Sequence, residues 1–174
     1  MILKGAYTYL QNDQPYSEEN FSVYRDFRDM SLEYQAEIFT RTPEGELYKV
    51  NVNYLLSKKF DPLRVEITKS LGDRFASEIF IAHRNGSMVS YTFVSKTEEK
   101  QLEIPMYGPF QISTPDICTS LLYTKNKKFN SVGINNYNLL VSENMWRYSG
   151  PVTTKNIFLK REGNINGESS DIKG

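Results

Sequence analysis

The stretch LYKVNVNYLL, residues 47–56, sorts its side chains by twos. Tyr48, Val50, Val52, Tyr54 and Leu56 alternate with Lys49, Asn51 and Asn53. Successive side chains of an extended strand leave on opposite faces, so this order collects the apolar groups on one side, where a helix would scatter them round its axis. The period of two identifies a strand with one dry face and one wet face.

The same period continues along the chain. Leu63, Val65 and Ile67 oppose Arg64, Glu66 and Thr68. Phe75, Ile79 and Ile81 oppose Ala76, Glu78 and Phe80, and Val89, Tyr91 and Phe93 oppose Ser90 and Thr92. Turn chemistry separates the runs at Pro43-Glu44-Gly45, Asp61-Pro62, Gly72-Asp73 and Asn85-Gly86, and Asn-Gly is the strongest short hairpin signal. Strands joined by tight turns are antiparallel neighbours. Residues 31–104 therefore read as an up-and-down meander, with earlier strands at 5–10 and 20–27. Several runs reach about nine to twelve residues against a usual five or six. Long twisted strands curl a broad sheet into a trough or close it into a barrel.

One segment breaks the pattern: TPDICTSLLYTKNKK, residues 114–128. Ser113 or Thr114 suits a helix cap, Pro115 the first helical position, and Asp116 the positive end of the dipole. Ile117, Cys118, Leu121 and Leu122 form one apolar stripe, and Lys125, Lys127 and Lys128 gather at the negative end. Strands resume at 135–142 and 156–161, with MWRYSGP between them as a turn. An amphipathic helix among strands must bury its stripe, most economically across the open side of a curved sheet. The expected fold is mainly β: a long-stranded antiparallel up-and-down meander curled into a half-barrel or barrel, with one short helix, about 114–128, covering the open side. Residues 1–161 make one β-rich domain, and the polar, Gly-rich residues 162–174 a flexible C-terminal tail.

Composition narrows the function classes. The chain has 174 residues, 39% hydrophobic and 24% charged, which suits a folded domain with a substantial core. Lys plus Arg and Asp plus Glu each number 21, so there is no basic surplus for nucleic acid or for an anionic membrane surface. No run of about 18 apolar residues exists, so no transmembrane segment is expected. As written the chain reads as soluble and cytoplasmic; removal of a leader would leave a periplasmic or envelope protein with the same sequence. Cys118 is the only cysteine, which excludes an intrachain disulfide and a Cys-based zinc site. No cofactor or metal motif occurs.

Single residues carry little chemistry at this level. His83, the only histidine, ends a strand beside Arg84 and an Asn-Gly turn, the setting of an exposed residue rather than of a general base. Cys118 lies on the apolar stripe and reads as a small buried hydrophobe rather than a nucleophile. The carboxylate pairs Glu18-Glu19, Glu44/Glu46 and Glu98-Glu99 read as solvated turn residues, not as two acids facing across a cleft. Arg25, Asp26, Arg28 and Asp29 suit cross-strand pairing at an edge more than capture of an anionic head group. Lys125, Lys127 and Lys128 are accounted for by the helix dipole. Trp146, beside Tyr148 near a turn, suits either a cavity mouth or a cap on the core.

The meander over residues 31–104, the plug-like segment 114–128 and the strands after it resemble the bacterial lipoprotein-carrier half-barrel group, which includes periplasmic carriers, outer-membrane receptors and glycolipid-binding proteins. The likeness covers most of the chain, is architectural and rests on no signature motif; it implies that the trough holds acyl chains or other hydrophobic molecules. The leading expectation is therefore a non-enzymatic binding protein with an apolar or amphipathic ligand in the concave face. Tyr48, Val50, Val52, Tyr54, Leu63, Val65, Ile67, Ile79, Ile81, Tyr91, Phe93, Leu121 and Trp146 would line it. Two alternatives stand beside this reading. One is a protein–protein interaction or scaffold module with a packed interior, presenting an edge strand or the helix. The other is a cofactor-free enzyme that confines a small hydrophobic substrate.

Overall fold

The computed structural model describes residues 1–120, 122–125, 133–141 and 152–161. Eight strands follow one another as β1 (Leu3–Gln11), β2 (Gln14–Arg25), β3 (Leu32–Arg41), β4 (Leu47–Leu56), β5 (Pro62–Leu71), β6 (Arg74–Ala82), β7 (Met88–Ser95) and β8 (Glu99–Pro105). They form one sheet in sequence order, each pair antiparallel, as an up-and-down meander must. The sheet stays open, with β1 and β8 as its edges.

The turns follow from local chemistry. Asn12 and Asp13 both hold positive φ, the backbone of a primed two-residue hairpin turn, and so join β1 to β2 more tightly than the sequence reading allowed. Gly72, at φ +57, makes the β5–β6 turn, and a side chain there would be strained. The strand starts therefore move earlier than expected, to Leu3 and Gln14.

A second, smaller layer lies over the sheet. The strand β9 (Phe110–Ile112) pairs in parallel with β10 (Gly133–Val141), which pairs antiparallel with β11 (Thr153–Arg161). Between β9 and β10 come one α-helical turn, α1 (Ile117–Ser120), and a 3-10 turn at Leu122–Lys125. Met106, Ile112, Leu122 and Leu140 of this layer join Val23, Ala36, Val52, Tyr54, Val65, Phe80 and Phe93 of the sheet in a single apolar core.

The expected helix over 114–128 is thus cut to two short turns within its described part; residues 121 and 126–128 lie outside the described residues. Hydrogen bonding explains why α1 is brief. Asp116, not Ser113 or Thr114, is the cap, accepting the Thr119 N–H at 2.9 Å. The Thr119 carbonyl is then taken by the Gln111 side chain at 3.0 Å, an acceptor withdrawn from the helical ladder.

Register decides which face each strand buries. One inward row runs Val23–Tyr34–Tyr54–Val65–Phe80–Tyr91–Leu102, and the next runs Phe21–Ala36–Val52–Ile67–Glu78–Phe93–Lys100. Three expected inward residues are corrected by it. Ile79 and Ile81 pair with Glu66 and Arg64 on the outer face, because β6 turns Ala76, Glu78 and Phe80 inward. Leu63 is 38% exposed because a register shift at Leu55/Leu56 sets Pro62 opposite Leu56 and gives Pro62 the buried place.

Candidate functional site

The residues expected to line a trough are mostly in place but closely packed. Tyr54, Val65 and Phe93 are 0% exposed, and Val50, Val52, Ile67 and Tyr91 no more than 3%. A void that admitted an acyl chain would leave accessible surface on the side chains around it, and these have almost none. Tyr48 is half-buried at the end of its row. Leu63, Ile79 and Ile81 face away from this core, and Leu121 and Trp146 lie outside the described residues.

Polar groups inside the core are satisfied in pairs. Lys69 and Glu78 meet at 2.7 Å on adjacent strands, both nearly buried, and the Tyr91 hydroxyl donates to Glu78 at 2.8 Å. The Tyr54 hydroxyl accepts the Ile112 N–H at 3.1 Å and so ties β4 to β9; its full burial pushes its ionisation far above the ordinary tyrosine range.

A second polar cluster fastens α1 to β2. Glu19, completely buried on β2, accepts the Ile117 N–H at 2.8 Å through Oε2 and the Cys118 N–H at 3.1 Å through Oε1. Tyr9 also donates its hydroxyl to Glu19 Oε2. The carboxylate therefore satisfies two donors that the helix start leaves open. Asp116 Oδ2 receives the Thr119 N–H, the Thr119 hydroxyl at 2.6 Å and the Cys118 thiol at 3.1 Å. Burial raises the pKa of Asp116 above the usual carboxylate range. It raises the Cys118 thiol strongly too, with the Asp116 charge adding to the effect. Burial and the bond to Glu19 do the same to Tyr9. The sequence reading set Glu18 and Glu19 among solvated turn residues; Glu19 instead lies within β2 on its inward face, opposite Ile38.

The concave space belongs to the other face of the sheet. A groove of about 870 Å³ crosses β1 to β5, lined by Lys4, Asn20, Gln35, Glu37, Asn51 and Asn53 among others. Its side chains bond one another and their neighbours: Asn51 donates to Thr68 at 3.2 Å within the groove, while Asn53 donates to Glu33 at 2.9 Å and Glu37 pairs with Lys49 beside it. The groove was legible as the polar half of each alternating strand, but not as a concavity, since curvature is a property of the assembled sheet.

The remaining sequence candidates are peripheral. His83 is exposed and bonded to Ser90 at 2.8 Å and Glu103 at 3.2 Å. Asp26 and Asp29 close loop turns on the N–H groups of Arg28 and Ser31, each at 2.8 Å, rather than pairing across an edge. Lys125 is exposed.

The two sheet edges differ. The β8 edge carries Glu99, Lys100 and Glu103 and ends at Pro105, features that discourage further pairing. The β1 edge, LKGAYTYLQ, has a single charge, and Leu3, Tyr7 and Leu10 on it are exposed, as are Met1 and Ile2 before it. No family model, curated protein or solved structure matches this chain. Among the described residues, no helix is long and apolar enough to cross a membrane.

Proposed function

We propose that the chain is a non-enzymatic interaction module that extends its sheet by pairing β1 with a strand of a protein partner, a second copy of itself being the simplest. The observation that carries this reading is the contrast between the edges. A nine-residue strand whose outer side pairs with no other strand among the described residues, with exposed apolar side chains and one charge, is a template for strand addition, whereas the opposite edge is guarded. The interior favours an interaction module over a carrier, because Val50, Val52, Tyr54, Val65, Ile67, Tyr91 and Phe93 offer a lipid-like cargo almost no accessible surface.

Self-pairing is chemically compatible with the strand. In an antiparallel pair about a two-fold axis at Tyr7, Lys4 of one copy would oppose Leu10 of the other, so no like charges meet. Sedimentation equilibrium of the full chain over rising concentration should show a monomer–dimer transition. Leu3→Lys with Thr8→Lys should abolish it while leaving the far-ultraviolet dichroism unchanged. A chain that stays monomeric throughout, with the lysine variant indistinguishable from it, would count against self-pairing.

The groove favours a second reading, a neutral hydroxyl-rich ligand such as an oligosaccharide. Its carboxamides supply donor and acceptor together, its Glu37 is paired with the neighbouring Lys49, and its Lys4 and Glu66 carry opposite charges. Titration with neutral oligosaccharides should then shift the side-chain amide resonances of Asn20, Gln35, Asn51 and Asn53; unmoved resonances would reject it.

A further inference from the structure

We propose that Glu19, Asp116 and Cys118 form a binding site for a single thiophilic divalent cation of the zinc type, set between β2 and the start of α1. One donor atom from each residue lies within 4.8 Å of the other two. A metal bound at about 2.0–2.3 Å by tetrahedral ligands needs its donors about 3.3–3.8 Å apart, and Cys118 Sγ and Asp116 Oδ2 already lie 3.1 Å apart.

Counting lone pairs separates this site from a simple helix clip. Glu19 Oε2 is filled by Tyr9 and the Ile117 N–H, while Oε1 accepts the Cys118 N–H and the carboxylate also faces the Cys118 thiol. Asp116 Oδ2 accepts three donors. Its other oxygen, Oδ1, is buried with no hydrogen-bond partner at all, in a residue only 1% exposed. The clip explains Glu19 and Oδ2; it leaves Oδ1 without a function, and a buried acceptor without a partner is costly. A cation would give Asp116 the partner that Oδ1 lacks and take the place of the Cys118 thiol proton among Sγ, Glu19 and Asp116.

The donor set is one sulfur and two carboxylate oxygens, with a fourth position open to water. That mixture favours a borderline-soft ion over magnesium or calcium, which prefer oxygen alone. A lone cysteine cannot build a Cys-based site, but it can complete a mixed one. Binding exchanges the thiol proton for the metal: Cys118 Sγ–H and the dication give the Sγ–metal bond and one proton released to solvent. The ligands Asp116 and Cys118 stand 97 and 99 positions along the chain from Glu19, so the site exists only once the chain is folded.

Cobalt(II) and cadmium(II), added to the full chain under reducing conditions, test this directly. One equivalent of cobalt should produce the intense visible bands of a tetrahedral ion, and cadmium a thiolate charge-transfer absorption. Both should disappear in Cys118→Ser, and zinc should raise the melting temperature of the native chain but not of that variant. Asp116→Asn should weaken zinc at least tenfold; should that variant fold poorly, Cys118→Ser still decides. The absence of charge-transfer absorption, or binding unchanged in Cys118→Ser, overturns the proposal: in the first case the unpartnered oxygen holds only water, and in the second the ion sits elsewhere.

Discussion

The hydroxyl of Tyr54 accepts the backbone N–H of Ile112 at 3.1 Å, joining the middle of the large sheet to the first strand of the small one across 58 residues. Ile112 is almost fully buried, so no water replaces this acceptor. Tyr54→Phe keeps the ring and orphans the N–H, and should cost about 1–3 kcal/mol in urea unfolding.

The same residue predicts an alkaline limit. Burial raises the folded pKa of Tyr54 above its unfolded value of 10.0, and those of Tyr34 and Tyr48 are raised too, in both cases chiefly by burial. Below pH 10 both states are protonated and the full stability is present; above it the unfolded chain ionises first, and stability falls as pH rises. Melting temperature should therefore drop steeply above about pH 10, and less steeply in Tyr54→Phe. An identical alkaline slope in the variant would refute the assignment.

Lys69 and Glu78 should behave as a buried pair. Glu78→Leu removes the carboxylate that faces the Lys69 ammonium and the Tyr91 hydroxyl, and is expected to cost about 3–5 kcal/mol. Adding Lys69→Met should recover most of that loss. If the two single losses simply add, the pair is not coupled.

Glu19→Gln tests the clip. An amide can present its oxygen to only some of the three donors, and its own N–H groups face the rest. Stability should fall by about 1–3 kcal/mol. Hydrogen exchange should accelerate first at Ile117, Cys118 and Thr119, while the β4–β5 ladder stays protected. Uniform acceleration throughout would show that the clip is not local.

Val52→Trp tests the packing of the core directly. Val52 is 2% exposed, and its neighbours in the register are Ala36 and Ile67. Overfilling such a site should destabilise by about 1–3 kcal/mol or more. A tryptophan accommodated without loss would reveal a hidden void and revive the carrier reading.

What could be read along the chain was whatever depends on neighbours in sequence. The alternation in residues 47–56 identified β4 and its buried face, and Gly72 and Gly86 marked hairpins, because side-chain period and positive φ are local properties. The inward face of β6 was misjudged because an apolar count favours Phe75, Ile79 and Ile81. The folded sheet buries Glu78 against Lys69 instead, and only pairing makes a buried carboxylate affordable. The shortness of α1 and the burial of Glu19 likewise depended on partners far away, at Gln111 for one and at Ile117 and Cys118 for the other. Periodicity is set by the geometry of one strand; register, curvature and the satisfaction of buried charge are set between strands, and appear only when they meet.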